Sequence, residues 1–128
     1  MTAAPYRIAV DRPVSAEERS LIEWLLEHGD GDNTEFIAQV DHARVIAHCS
    51  CGCASIDVAI AGKCPSEPLR VLADFQWTTR HGHLCGAFVF EHGGLLGGLD
   101  LWSVDGESVP SILPAVEDLA PFGAIRST

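Results

Sequence analysis

Positive charge is scarce in this sequence, and the little there is does not cluster. The chain has 8 Lys and Arg against 18 Asp and Glu, a formal net charge of −10. Binding to a nucleic-acid backbone or an anionic membrane surface needs a basic face that displaces counterions. The sequence therefore predicts neither a nucleic acid nor a membrane as a partner. An acidic surface is instead complementary to a basic protein.

Long apolar runs and a secretory signal are also missing. No stretch reaches the roughly 18 apolar residues of a membrane span. The first residues, "MTAAPYRIAVDRP", lack a charged segment followed by an apolar one. Five cysteines are an odd number, and without a signal peptide they favour reduced thiols over a disulfide framework. We therefore expect a cytoplasmic protein.

The size and composition are those of one ordinary globular domain. With 128 residues, 47% of them hydrophobic, the chain is long enough to bury a core without crosslinks. We expect residues 1–128 to form a single domain, with 1–13 as a loose N-terminal lead-in. No internal repeat or linker divides it.

Helical signals are concentrated in the first third of the chain. "SAEE" is a capping box, in which Ser15 is the N-cap and Glu18 reaches back, and Gly29 is a natural C-terminal stop. The spacing of apolar residues in "NTEFIAQVDHA" favours a second helix capped by Asn33, although its alternation suits a strand almost as well. A further short helix is expected after Pro114, in "PAVEDL".

From residue 44 onward, apolar and polar residues alternate as in β-strands. Five short strands are predicted, in "RVIAHC", "ASIDVAI", "LRVLADFQW", "HLCGAFVFE" and "LLGGLDLWSV". The third of these is expected to face the core with Leu69, Val71, Ala73, Phe75 and Trp77. Hairpin-length connections indicate an α+β fold, with N-terminal helices packed on an antiparallel meander of about five strands.

The stretch "CSCGC", residues 49–53, carries the strongest chemical signal. In a straight strand, alternate side chains lie roughly 6.6 Å apart. The sulfur atoms around tetrahedral zinc are only about 4 Å apart. A metal site therefore requires the chain to curl, and Gly52 lies where a hairpin between the first two strands would bend.

Hairpin topology supplies candidate partners for these thiols. In a meander, the turn between strands three and four lies at the same end of the sheet as the cysteine turn. That second turn carries His81 and His83, so Cys51, Cys53, His81 and His83 are a candidate metal set, with Cys49 and His48 as substitutes. Two thiolates with two imidazoles suit zinc, or copper in a distorted geometry.

Two other interpretations of the cysteines stay open. Free cysteine packs like a small apolar residue, as we expect for Cys85 in mid-strand, while Cys64 lies in a proline-rich loop. Alternatively, Cys51 and Cys53 form a reactive dithiol. A nucleophilic cysteine needs a nearby cation or helix N-terminus, and the closest basic residues in sequence are Arg44 and Lys63.

Two segments carry a resemblance to known proteins. "HCSCGCASIDVAI" and "FVFEHGGLLGGLDLWSVDGE" resemble a group of small bacterial proteins of unknown function, which share a C-x-C-G-C-x-S-I stretch ahead of a hairpin ending in an aromatic-Ser-x-Asp-Gly turn. The resemblance spans roughly residues 15–115 and implies no activity. The last hairpin is also similar to strands of bacterial immunity-type proteins, at the level of fold only.

The sequence as a whole favours a non-enzymatic, cytosolic interaction domain. The first alternative is a zinc-binding domain built on the cysteine bend. The second is a thiol-based redox protein or cysteine enzyme, for which the sequence offers no catalytic set.

Overall fold

A computed structural model describes residues 6–63 and 68–122. These residues contain two α-helices and seven β-strands: β1 Arg7–Pro13, α1 Ala16–His28, α2 Thr34–Gln39, β2 Ala43–Cys49, β3 Ile56–Ile60, β4 Leu69–Thr78, β5 Leu84–His92, β6 Leu95–Ser103 and β7 Ala120–Pro121. No helix among them is long and apolar enough to cross a membrane.

All seven strands form one antiparallel sheet in the order β1-β2-β3-β6-β5-β4-β7. The α+β class is therefore confirmed, whereas the five-stranded meander is wrong. The unit β4–β5–β6 joins the sheet through its last strand, because β6 rather than β4 pairs with β3, at Ile56↔Leu99 and Asp57↔Gly98. Ile56 and Leu99 are both fully buried, so this pairing makes the core continuous across the sheet.

The expected loose lead-in contains an edge strand. β1 pairs with β2, from Arg7↔Cys49 to Pro13↔Arg44, with a bulge between Ala9 and Arg12. Most of its side chains are exposed, so the segment lacks the apolar alternation of an interior strand. The expectation for residues 7–13 is therefore wrong. Strand β1 places a basic residue, Arg7, beside the cysteine loop.

The first helix begins as predicted and ends for a different reason. Both hydrogen bonds of the Ser15–Glu18 capping box are present. Gly29 follows the helix with an ordinary φ of −78°, and not in a left-handed conformation. A Cβ atom there would lie 2.5 Å from the carbonyl oxygen of Leu72. Close packing of the helix end on β4 therefore requires this glycine.

The other predicted helices are shorter than expected. Helix α2 confirms the second prediction and continues into a 3₁₀ turn, Val40–His42. Asn33 does not cap it with its side chain but donates to the carbonyl of Leu26, 3.0 Å away, at the end of α1. The "PAVEDL" segment forms only a 3₁₀ turn, Val116–Asp118.

The core lies between the helices and one face of the sheet, and strand β4 joins it with a bulge. Ala73, Phe75 and Trp77 are buried as predicted, but Leu69 and Val71 are exposed. The register changes between Val71 and Ala73, which leaves Leu72 as an extra, buried residue. Leu69 and Val71, which precede the bulge, therefore lie on the opposite face of the sheet from the one predicted.

The other face of the sheet is partly covered as well. Gln76, which the alternation of β4 places outside the core, is only 1% exposed. It pairs with Ala120 of β7, and Phe122 just beyond stacks on Trp102 at 5.6 Å between ring centroids. The C-terminal segment therefore shields this part of the sheet from solvent.

Candidate metal centre

The cysteine loop joins β2 to β3 and is held on both sides. The backbone N–H of Ser50 donates to the carbonyl of Tyr6 at 2.8 Å, and the Ser50 hydroxyl accepts from the N–H of Tyr6 at 2.9 Å. On the other side, the N–H of Ala54 donates to the carbonyl of Pro110 at 2.9 Å. Gly52 has a φ of +90°, which only glycine adopts readily, and so lets the chain curl between these two anchors.

The curl brings three sulfur atoms together. The Sγ atoms of Cys49, Cys51 and Cys53 all lie within 4.8 Å of one another, and those of Cys49 and Cys51 are 2.9 Å apart. These separations bracket the roughly 4 Å expected between thiolates on one tetrahedral zinc ion. The loop therefore has the compact geometry that a straight strand cannot provide.

Backbone amides point at two of the sulfurs. The N–H of Cys51 donates to the Sγ of Cys49 at 3.5 Å, and the N–H of Cys53 donates to the Sγ of Cys51 at 3.4 Å. Hydrogen bonds of this kind stabilise the deprotonated form of an acceptor. The thiolate, and not the thiol, is the form that binds a metal.

The third sulfur is tied to the sheet. The Cys53 thiol donates to the Ser55 hydroxyl at 3.2 Å. Ser55 is 1% exposed; its hydroxyl accepts from the N–H of Leu101 at 2.8 Å and donates to the carbonyl of the same residue at 3.1 Å. The buried Ser55 side chain thus fixes the end of the loop against β6.

The thiols differ in acidity. The pKa of Cys49 is lowered by the hydrogen bond from the Cys51 thiol, by the Cys51 backbone N–H and by the positive charge of Arg7. Loss of solvation and hydrogen bonding to the Cys49 and Cys53 thiols raise the pKa of Cys51 to about 11. Cys49 is therefore the first of these two thiols to ionise.

Arg7 is a residue of the site that the sequence did not reveal. It lies directly across from Cys49 in the β1–β2 ladder. Its guanidinium also approaches Asp57 at 3.4 Å and Asp100 at 3.8 Å, which holds it over the outer face of the sheet. The sequence feature that could have indicated strand β1 is the alternation in "RIAV". It is weak, because few residues of this strand are buried.

The two turn histidines lie at the predicted end of the sheet but outside the thiol group. Since β2 and β4 run in the same direction, the β2–β3 and β4–β5 turns share one end, with β6 between the two hairpins. The group of mutually close ligand atoms contains neither His81 nor His83. His83 instead faces Asp105, with Nδ1 at 3.5 Å from Oδ2.

Of the two alternative ligands expected from the sequence, Cys49 and His48, only one lies in the thiol group. Cys49 is part of the group, whereas His48, the preceding residue in β2, accepts a hydrogen bond from the Nε of Arg12 at 3.3 Å. Cys85 is fully buried, as predicted for a core cysteine. Cys64 lies outside the described residues.

Three thiols in this arrangement could hold a metal ion. The chain matches no protein-family model, no curated protein and no solved structure. The chemistry of the site therefore rests on its own geometry.

Proposed function

We propose that this protein is a metal-binding domain that holds a thiophilic ion, Zn²⁺ in the first place, through Cys49, Cys51 and Cys53. The observation that carries the proposal is the convergence of three Sγ atoms within 4.8 Å of one another. Thiolate ligands select soft or borderline ions such as Zn²⁺ and Cu⁺ over Mg²⁺ or Ca²⁺.

The position of the loop argues against simple packing. A cysteine used as an apolar core residue is buried, as Cys85 is at 0% exposure. Cys51 is exposed, and Cys49 and Cys53 are half-buried. None of the three belongs to the core cluster between helices and sheet. The three thiols therefore contribute little to the packing of the core.

Three protein ligands leave one position of a tetrahedral ion free. Zinc sites with three protein ligands take water or an external group as the fourth. Because Cys51 is exposed, the open position faces solvent. We propose an exchangeable ion, and a basic protein, complementary to the net charge of −10, as the partner class.

A second candidate function is reversible dithiol oxidation. The specific observation in its favour is the contact between the Cys49 and Cys51 sulfurs together with the lowered pKa of Cys49. In this case two thiols are lost to a disulfide when an oxidant is supplied, and they return with a reductant. Counting free thiols before and after such a cycle separates this candidate from metal binding.

The test of metal binding is a competition titration of the reduced protein with Zn²⁺ against a chromophoric chelator. We expect one ion per chain. The variants Cys49→Ser and Cys53→Ser should each weaken binding at least tenfold, because each removes one of three ligands. Cys85→Ala is the matched control, since its sulfur lies in the core.

Two results would count against the three-thiolate site. Unchanged affinity in both ligand variants would remove the thiols from the site. A tenfold loss in His81→Ala would show that the histidine turn supplies a ligand, in favour of the mixed Cys–His set.

A further inference from the structure

A second candidate site lies at the same end of the sheet, beyond the cysteine loop. A cleft of about 430 Å³ separates the β4–β5 turn from the segment 108–115. Its lining includes Trp77, which is 5% exposed, the buried Pro110, and Leu113. Clefts of this size with a mostly apolar lining are typical of small-molecule sites.

The charged residues of the cleft are distributed unevenly. Arg80 lines it together with His81 and His83. The other five arginines among the described residues each have a carboxylate within 4.0 Å, and Arg80 has none. In a chain of net charge −10, an arginine left without an acidic partner beside two histidines is a local exception.

Two acidic residues, Asp105 and Asp118, also lie near the cleft and could compete with an anionic ligand for its positive charges. Asp118 lines the cleft but makes no ion pair with Arg80. Asp105 approaches His83 at 3.5 Å, so that imidazole is the less available of the two. Arg80 and His81 therefore remain as the groups free to meet an anion.

Two apolar side chains of the cleft lining are exposed. Val109 and Ile112 are 54% and 78% exposed, so both present hydrocarbon to solvent. An occupant with an apolar body would contact these side chains and the buried Trp77, which also lines the cleft. Its charged end would lie at the Arg80 side of the cleft.

We propose that this cleft binds a small molecule with an apolar body and a carboxylate, and that Arg80 is the principal contact of the carboxylate. A guanidinium pairs with a carboxylate through two parallel N–H donors, which fixes orientation as well as charge. The proposal does not depend on the metal centre, because the cleft contains none of the three cysteines of that loop.

Three probes of matched shape test the charge preference: 3-phenylpropionate, 3-phenylpropan-1-ol and 3-phenylpropylamine. Each is titrated into the full chain while amide chemical shifts are followed by NMR. We expect saturable shifts at residues 78–83 and 108–115, and the affinity order carboxylate, alcohol, amine. The Arg80→Gln variant should lower carboxylate affinity about fivefold, to the level of the alcohol.

Lys63→Gln is the control, because Lys63 is an exposed cation outside the cleft lining. It should leave the affinity for 3-phenylpropionate unchanged. The proposal is overturned if no probe gives saturable shifts at these residues, or if the amine binds best, since Asp118 would then dominate. Equal carboxylate affinity in the parent and Arg80→Gln, with the variant's remaining spectrum unaltered, overturns it as well.

Discussion

The thiols of Cys49 and Cys51 are chemically unequal although they lie close together in sequence. Cys51 is the more exposed of the two, but loss of solvation and hydrogen bonding to the Cys49 and Cys53 thiols raise its pKa to about 11. Cys49 is half-buried, and the pKa of its thiol is lowered by donors from Cys51 and by the charge of Arg7. Reactivity toward electrophiles follows the thiolate fraction and not exposure alone.

We therefore predict that substoichiometric iodoacetamide alkylates Cys49 before Cys51 in the reduced, metal-free protein at neutral pH. Peptide mass spectrometry gives the order of modification. In the Arg7→Gln variant, the rates of alkylation of Cys49 and Cys51 should differ less, because the variant removes the cation beside Cys49. Alkylation of Cys51 ahead of Cys49 would mean that exposure outweighs the hydrogen bonds that the Cys49 sulfur accepts.

The carboxyl group of Glu18 at the start of α1 is almost completely buried, with 7% of the residue exposed. Burial alone would raise the pKa of its carboxyl, but donation by Arg12, at 2.9 and 2.8 Å, and by the Ser15 N–H outweighs burial and lowers it. A lowered pKa in the folded state means that the unfolded chain binds the proton more readily. The resulting stability is present above the unfolded pKa of about 4.3 and is lost as pH falls through the folded pKa.

The free energy of unfolding should thus decrease more steeply below about pH 4.3 in the parent than in Glu18→Gln, which cannot titrate at this position. Urea unfolding at a series of pH values measures this slope. Glu23→Gln is the control, since Glu23 makes a more exposed pair with Arg19. The same slope of unfolding free energy against pH in the parent and in Glu18→Gln would contradict this explanation.

At the scale of elements, local patterns predicted the interior of the fold better than its edges. The capping box located α1, and the five predicted strands correspond to β2 through β6. The bulge at Leu72 was not foreseen, because Val71, Leu72 and Ala73 are three apolar residues in a row and only pairing with β5 shows which of them is the extra one. Strand β1 escaped prediction because an edge strand needs little apolar alternation.

Gly29 and Gly31 provide a matched test of the contact between α1 and β4. Gly29→Ala should cost about 3 kcal/mol, because its Cβ would lie 2.5 Å from the Leu72 carbonyl oxygen. Gly31→Ala should cost only about 1 kcal/mol, since that position has a φ of +74° but nothing within 4 Å of the added atom. Chemical denaturation measures both, and equal costs would contradict the packing argument, because Gly29 has an ordinary φ of −78° and only its close contact with β4 distinguishes it.

At the scale of the whole molecule, sequence alone predicted which end of the sheet carries the cysteines and histidines, but not their separation. That the two turns share one end follows from antiparallel pairing. Their spacing depends on β6 lying between β3 and β5, a long-range pairing that no local pattern encodes. For the same reason, the approach of Arg7 to Cys49 required knowledge of the β1–β2 register.

The core and the cysteine loop are separate parts of the molecule, so the fold should not require metal. The buried cluster joins α1, α2 and the sheet without any of the three loop thiols. We predict that a chelator leaves the far-UV circular dichroism spectrum unchanged. Zinc at a hundredfold excess over its dissociation constant should stabilise the parent by about 2.7 kcal/mol. Thermal melts at the same zinc concentration should show a smaller stabilisation in Cys49→Ser, at most about 1.4 kcal/mol for a site weakened at least tenfold. Unfolding by the chelator would instead make the metal an obligatory part of the fold.

The metal ligands of the proposed centre are three thiolates of one loop, and X-ray absorption at the zinc edge of the loaded protein tests this claim by counting the sulfur ligands. The three-thiolate site predicts three sulfur scatterers at about 2.3 Å and one lighter atom from solvent. The spectrum should be the same in a His81→Ala, His83→Ala double variant. Two sulfurs with two imidazole nitrogens, lost in that double variant, would contradict the claim.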